Sequence, residues 1–147
     1  MIPISSIRNL SMKTKSKDSK IKVLLLITGS IAAVRIPLLV SQLAKENYEI
    51  RCVLSKNAEK LIKPLSLSIL SRNPCILEND QWSDGQSTPL HIELSNWADI
   101  LIIAPLTATT LAKWVTGNAE GLIPSIVIAN IKPNYCCTSN EYTNVAK

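Results

Sequence analysis

Two short, unbroken apolar runs, Val23-Leu-Leu-Leu-Ile27 and Ile100-Leu-Ile-Ile-Ala104, each stop at a turn built from Thr, Gly, Ser or Pro. Neither alternates with polar residues, so each reads as a strand covered on both faces, the condition of an interior strand in a parallel sheet. Such strands need helices to cover them. After the first run, Ile36, Leu39, Val40 and Leu43 recur at helical spacing, and Pro37 is tolerated because it lies near the helix start. Glu49 to Leu54 then reads as a second strand, with Glu46, Asn47 and Tyr48 as the turn, which completes a βαβ unit.

The rest of the chain continues the alternation. Ser55 is a candidate N-cap for a short helix running to Ile62, and Pro64 suits the first position of another running to Leu70. Cys75 to Leu77 predicts a short edge strand. Residues 79 to 89 are polar and turn-forming around Trp82, which predicts a mobile loop. His91 to Trp97 can form a helical turn or two, and helices are expected over Thr107 to Val115 and Leu122 to Ala129. Strands alternating with helices predict an open, doubly wound α/β parallel sheet with flanking helices.

At 147 residues the chain fits one domain with a core of its own. Its net charge of +5 is concentrated at the front: five basic residues before Ile21 face only Asp18, leaving +1 for everything after. Residues 1–20 are therefore read as a basic, disordered tail, and the folded part lacks the spread of positive charge that a nucleic-acid face needs. Val23 to Val40 is long enough to raise a membrane question, but Thr28, Gly29, Ser30 and Arg35 interrupt it. Neither nucleic acid nor membrane is expected as a partner. Cys52 and Cys75 stand alone in apolar runs and Cys136 and Cys137 are adjacent, a spacing that suits no metal ion. A reducing, cytoplasmic setting follows.

In a doubly wound sheet, ligands bind beyond the carboxyl ends of the strands, where helix N-termini offer unpaired amides. Three turns have the right composition: Thr28-Gly-Ser-Ile-Ala32, Ser55-Lys-Asn57 and Pro105-Leu-Thr-Ala-Thr109. Gly29 permits close backbone approach, and the hydroxyls of Ser30, Ser55 and Thr107 can donate to phosphate oxygens. The pattern Gly-x-Gly-x-x-Gly is absent, which favours a mononucleotide over a dinucleotide. Turns of this kind also occur where nothing binds. His91, the single histidine, reads on its own as a surface or helix-capping imidazole.

Four separated segments, in order, give the chain a resemblance that decides between these readings. Thr28-Gly-Ser-Ile-Ala-Ala33, Ser55-Lys-Asn-Ala58, His91-Ile-Glu-Leu94, and Ala104-Pro-Leu-Thr-Ala-Thr-Thr110 with Lys113 and Gly117 are similar to the motifs of the flavoprotein family of FMN-dependent cysteine decarboxylases. The resemblance covers about Lys22 to Ile131 and implies a Rossmann-like, flavodoxin-type mononucleotide binder with FMN as cofactor. It implies cofactor contacts at Gly29, Ser30, Ile31, Ala32, Ser55, Ala104, Thr107, Ala108 and Thr109, and an acid/base role for His91. The implied reaction is oxidation of a cysteine side chain to a thioaldehyde followed by loss of the neighbouring carboxylate as carbon dioxide. Its foremost implied substrate is 4'-phosphopantothenoylcysteine, on the route to coenzyme A, and the implied assembly is a homotrimer with flavin sites near subunit boundaries. Trp97 and Trp114 read as core or subunit contacts rather than as flavin-stacking residues.

The chain departs from the family pattern in three places. Thr109 stands where the family has Asn, and Ala119-Glu-Gly-Leu-Ile123 stands for Ala-Asp-Asn-Leu-Leu. After Ile131 the family's apolar strand and Pro-Ala-Met-Asn motif are replaced by residues 132–147, which show no strand pattern. A one-base shift in a suitable back-translation of Asn134 to Ala146 restores Ile-Ile-Val-Ala-Pro-Ala-Met-Asn, so this tail is read as a frameshift. The last core strand is then expected to be lost, leaving an open sheet edge, impaired activity, and poor solubility or a weakened oligomer. Rival readings are a peptidyl-cysteine decarboxylase, a flavin-binding or regulatory subunit without catalysis, and a nucleotide-binding domain unrelated to flavin.

Overall fold

The computed structural model describes residues 20–46, 48–131, 134–137 and 142–143. The expected basic tail, except for Lys20, lies outside them, as does most of the segment read as out of frame. Six strands form one sheet: β1 (Ile21–Ile27), β2 (Tyr48–Leu54), β3 (Ile76–Leu77), β4 (Ile100–Ile103), β5 (Asn134–Cys137) and β6 (Tyr142–Thr143). Their order across the sheet is β3-β2-β1-β4-β5-β6. The first five are parallel, and β6 runs antiparallel to β5.

Side-chain alternation along β1 sorts the core into two halves. Val23, Leu25 and Ile27 face α1 (Ile36–Lys45), the single turn α2 (Lys56–Glu59) and α3 (Pro64–Ser71), meeting Leu39, Leu43, Ala58 and Leu67. Leu24 and Leu26 face the other way, towards α4 (Leu90–Trp97), α5 (Ala108–Val115) and α6 (Leu122–Ala129), meeting Leu94, Trp114 and Ile126. Every residue from Val23 to Ile27 is fully buried, as the unbroken apolar run requires of a strand covered on both faces. The doubly wound α/β architecture expected from the sequence is the one observed.

The strand order reverses between β1 and β4, where the chain leaves β1 for β2 on one side and leaves β4 for β5 on the other. That reversal opens a crevice beyond the carboxyl ends of β1 and β4, flanked by the turns that follow them. Smaller departures from expectation have local causes. Tyr48 pairs with Ile21 and is buried, so it opens β2 rather than belonging to the turn. The helix expected from Ser55 to Ile62 is only the single turn α2, while α3 begins at Pro64 as expected, with Lys63 extended ahead of it. A 3-10 turn over Ile31–Arg35 precedes α1, with Pro37 in that helix's first turn. Another, Glu78–Trp82, occupies the start of the segment expected to be wholly loop.

One expectation is corrected. The sheet does not end at β4: Leu101, Ile102 and Ile103 pair in parallel with Asn134, Tyr135 and Cys136 of β5. Ladder bonds join backbone N–H and C=O groups, so a short extended stretch can close a strand edge without an apolar sequence pattern. The predicted open edge beside β4 is therefore covered.

The remaining large side chains have structural surroundings. Trp114 is buried in the α5–α6 half of the core, and Trp97 carries the Arg51 guanidinium 4.4 Å above its ring. Cys52 is buried in the β2 core, where burial raises its thiol pKa and keeps it protonated. Cys75 is pushed up to about 12 for the same reason, with the carboxylates of Asp80 and Glu59 adding to it.

Candidate functional site

Three helix starts converge on the crevice, and each is capped by its own residue. Ser30 Oγ accepts from Ala32 N at 3.4 Å, Ser55 Oγ from Ala58 N at 3.3 Å, and Thr107 Oγ1 from Thr110 N at 3.4 Å. A capping hydroxyl uses a lone pair and keeps its hydrogen, so Ser30 and Ser55 can still donate outward to an anionic oxygen. Thr107 Oγ1 also lies 3.1 Å from Thr110 Oγ1, which places two hydroxyls side by side at the start of α5.

Backbone contacts bring the turns together. A Cβ at Gly29 would overlap Cβ of Asn57 and stand 3.1 Å from that residue's carbonyl carbon, so only glycine lets the turn after β1 approach the start of α2 this closely. The buried Thr28 hydroxyl joins the first turn to the third: Thr28 Oγ1 donates to the carbonyl of Pro105 and accepts from Thr107 N at 3.0 Å. Sequence reading missed Thr28 because a threonine beside Gly-Ser looks like part of the turn. Its reach to a loop 77 positions away is a tertiary fact.

The result is a cavity of about 380 Å³, within the range of cofactor sites, whose lining includes Gly29, Ser55, Lys56 and Asn57 together with Glu78, Gly121 and Pro124. Thr107, Thr109, Thr110 and Lys113 lie along it. Of the residues the sequence pointed to, Gly29, Ser55, Thr107 and Thr109 line this space. Ser30 caps the adjoining 3-10 turn and Ala32 supplies the amide it caps, while Ala104 lies buried beneath the third turn. Ile31 is 73% exposed, and Ala108 is exposed at the first position of α5. Lys113 pairs with Glu120 at 3.1 Å across the rim.

His91 stands elsewhere. It lines a second pocket with Gln81, Trp82, Gln86, Thr88 and Leu90, and it is not among the residues lining the first. Its Nδ1 is buried and finds no hydrogen-bond partner among the described residues. A buried ring nitrogen left unpaired is costly, and such an atom calls for a partner, which an ordered water or a bound ligand can supply. The arrangement offers hydroxyls and helix amides for an anion in the first cavity and a poised imidazole in the second. Among the described residues no group of His, Cys, Asp and Glu is placed to hold a metal ion.

Comparison with known proteins agrees with the motifs. The family model described as Flavoprotein matches residues 11–138. The phosphopantothenoylcysteine decarboxylase of Mus musculus is 33% identical over 115 residues, covering 78% of this chain and 56% of that protein. The coenzyme A biosynthesis bifunctional protein CoaBC of Borreliella burgdorferi is 30% identical over 118 residues, covering 80% of this chain and 30% of that protein. The chain thus spans little more than half the length of the first of these relatives and less than a third of the second. Among solved structures, the FMN-dependent cysteine decarboxylase SpaF superposes with a TM-score of 0.73 at 26% identity, covering 80% of this chain and 69% of that one. A PPC decarboxylase mutant complexed with pantothenoylaminoethenethiol superposes with a TM-score of 0.68 at 33% identity, covering 82% and 69%.

Proposed function

Because the chain belongs to the flavoprotein family, we propose that it holds FMN in the cavity between Gly29 and Gly121 and serves the decarboxylation of a cysteine-derived carboxylate, with 4'-phosphopantothenoylcysteine as the substrate. The observation that carries this reading is the convergence of three capped helix starts on one cavity at the reversal of strand order. The residues fit such a group. Ser30 and Ser55 retain hydroxyl hydrogens for phosphate oxygens, Gly29 leaves room for them, and Lys56, next to Ser55, adds a cation to the lining. Thr107, Thr109 and Thr110 supply neutral hydrogen-bonding groups along the remainder. When bound, the flavin supplies the electron sink for oxidising the cysteine side chain.

His91 is assigned the proton work. A neutral imidazole can accept the proton of a substrate thiol at an unpaired nitrogen, and the buried Nδ1 is such an atom. His91 lines a pocket apart from the cradle, which suits an assembly in which it serves the flavin of another copy, and a homotrimer is the assembly proposed. The cell compartment proposed is the cytoplasm, in keeping with the free thiols of Cys52 and Cys75. No helix among the described residues is long and apolar enough to cross a membrane. The frameshift reading of residues 132–147 is also kept as a proposal, tested by sequencing the gene from the codon for Ile131 onward.

The test of the function begins with colour. Purified protein should carry flavin absorbance and release carbon dioxide from 4'-phosphopantothenoylcysteine, and His91→Asn should keep the colour while losing turnover. Mixing His91→Asn chains with Gly29→Val chains should restore part of the activity, because one copy then supplies the imidazole and the other the cradle. A colourless wild-type protein that takes up no added FMN would remove the reading.

A further inference from the structure

Helix α6 differs from the other helices that face the cavity. The residue before it, Gly121, has no side chain with which to cap, and its backbone sits at φ 104° and ψ 162°, a region that residues with a Cβ rarely adopt. The amide of Leu122 is nevertheless satisfied: it donates to Oε1 of Glu78 at 2.7 Å, across 44 positions of sequence. Glu78 stands immediately after β3, at the start of the 3-10 turn that leads towards the His91 pocket. A carboxylate against the first amides of a helix is a charge-assisted contact reinforced by the helix dipole.

Positions 78 and 121 compete for space while the cap is in place. A Cβ built on Gly121 would stand 2.5 Å from Glu78 Oε1, so the carboxylate occupies the space that a side chain at 121 would claim. On its other side the same turn is held by Ser125 Oγ, which lies 2.7 Å from the carbonyls of both Ala119 and Gly121. The body of α6 is fixed by burial of Leu122, Ile123 and Ile126, whereas its entry turn depends on Ser125 and Glu78. Glu78, Gly121, Ile123 and Pro124 all line the cavity, and Glu78 emerges beside Ser55, because Leu77 and Leu54 pair in parallel just before them.

We propose that Glu78 is a positioning residue of the cofactor cavity: it caps α6 in place of the side chain that Gly121 lacks and thereby fixes the wall built from Gly121, Ile123 and Pro124. The proposal rests on the FMN reading for the identity of the occupant, but the cap can be measured without it. Glu78 acts through that wall, so its removal weakens both FMN and riboflavin.

The experiment pairs flavin titration, followed by fluorescence quenching, with thermal unfolding of the ligand-free chain. Glu78→Ala should lower affinity for both flavins about fivefold and lower Tm by about 3 °C, the scale of losing one helix cap in a domain of this size. Glu78→Gln keeps an acceptor oxygen and should stay within about twofold in affinity. In ligand-free unfolding, Gly121→Ala should cost several degrees less in the Glu78→Ala background than in the wild-type chain, because there the new side chain displaces no cap. Equal costs in the two backgrounds would overturn the cap. Unchanged affinity in Glu78→Ala, or a change confined to FMN, would overturn the positioning role. Wild-type protein that binds neither flavin, yet shows the coupling between positions 78 and 121, would locate the failure in the FMN reading instead.

Discussion

The helix starts around the cavity are capped on two different principles. Three of them carry their own cap: Ser30, Ser55 and Thr107 each accept an amide two or three residues ahead. At α6 the cap is borrowed from Glu78, and the residue in the capping position is a glycine. Local caps are set by short stretches of chain and form wherever those stretches form. A borrowed cap exists only once β3 and α6 have been brought together by the sheet and the core beneath it. The difference teaches that helix starts meeting at one site can take their caps either from their own turns or from a distant element that only the fold brings near.

The largest break in this comparison is expected at Gly29, where two locally capped turns depend on a close approach. Gly29→Val forces a Cβ into Asn57 and should destabilise the fold by about 3 kcal/mol in urea unfolding, with flavin uptake abolished. Next is Thr28→Val, which strands the Pro105 carbonyl and the Thr107 amide together. A loss of about 2 kcal/mol is expected, with Thr28→Ser retaining most of the stability because it keeps the hydroxyl. Removing one local cap is milder: Ser55→Ala or Thr107→Ala should each cost about 1 kcal/mol by the same measurement. Equal losses for the Thr28 and Ser55 variants would show that the link between turns adds nothing to a cap. The smallest effect is expected at the rim, where Lys113 and Glu120 pair in solvent. Lys113→Met should change stability by less than about 0.5 kcal/mol and make it less sensitive to salt.

A pH series sharpens the contrast between site and core. The Cys75 thiol ionises at about 12 in the fold against the ordinary value of 9.0, so its contribution to stability is complete below pH 9 and is lost as pH rises from there towards 12. Alkylation by iodoacetamide at pH 8 should accordingly be slow in the folded protein and fast once urea unfolds it. Rapid alkylation of Cys75 in the folded state would contradict its protected position beside β3.

Sequence alone determined the sheet and most of one side of the site. Val23 to Ile27 and Ile100 to Ile103 are short, apolar without a break and bounded by turn residues, the pattern of an interior strand covered on both faces. The turns that follow them, with Ser55 between, announce helix starts at the carboxyl edge, because Ser and Thr before a helix satisfy amides that nothing else nearby can reach. Tertiary structure decided the rest. Tyr48 turned from loop to strand because Ile21 was there to pair with it, and Asn134 to Cys137 became a strand because β4 presented an open edge. Thr28 became a link between two turns, and Glu78 a cap for α6, through contacts 77 and 44 positions apart. His91 was legible as a residue type in a motif, but its separation from the cradle was not. Periodicity and local hydrogen bonding are written in neighbouring residues, whereas which distant groups meet depends on how strands order and helices pack, and that is settled only when the whole sheet has formed.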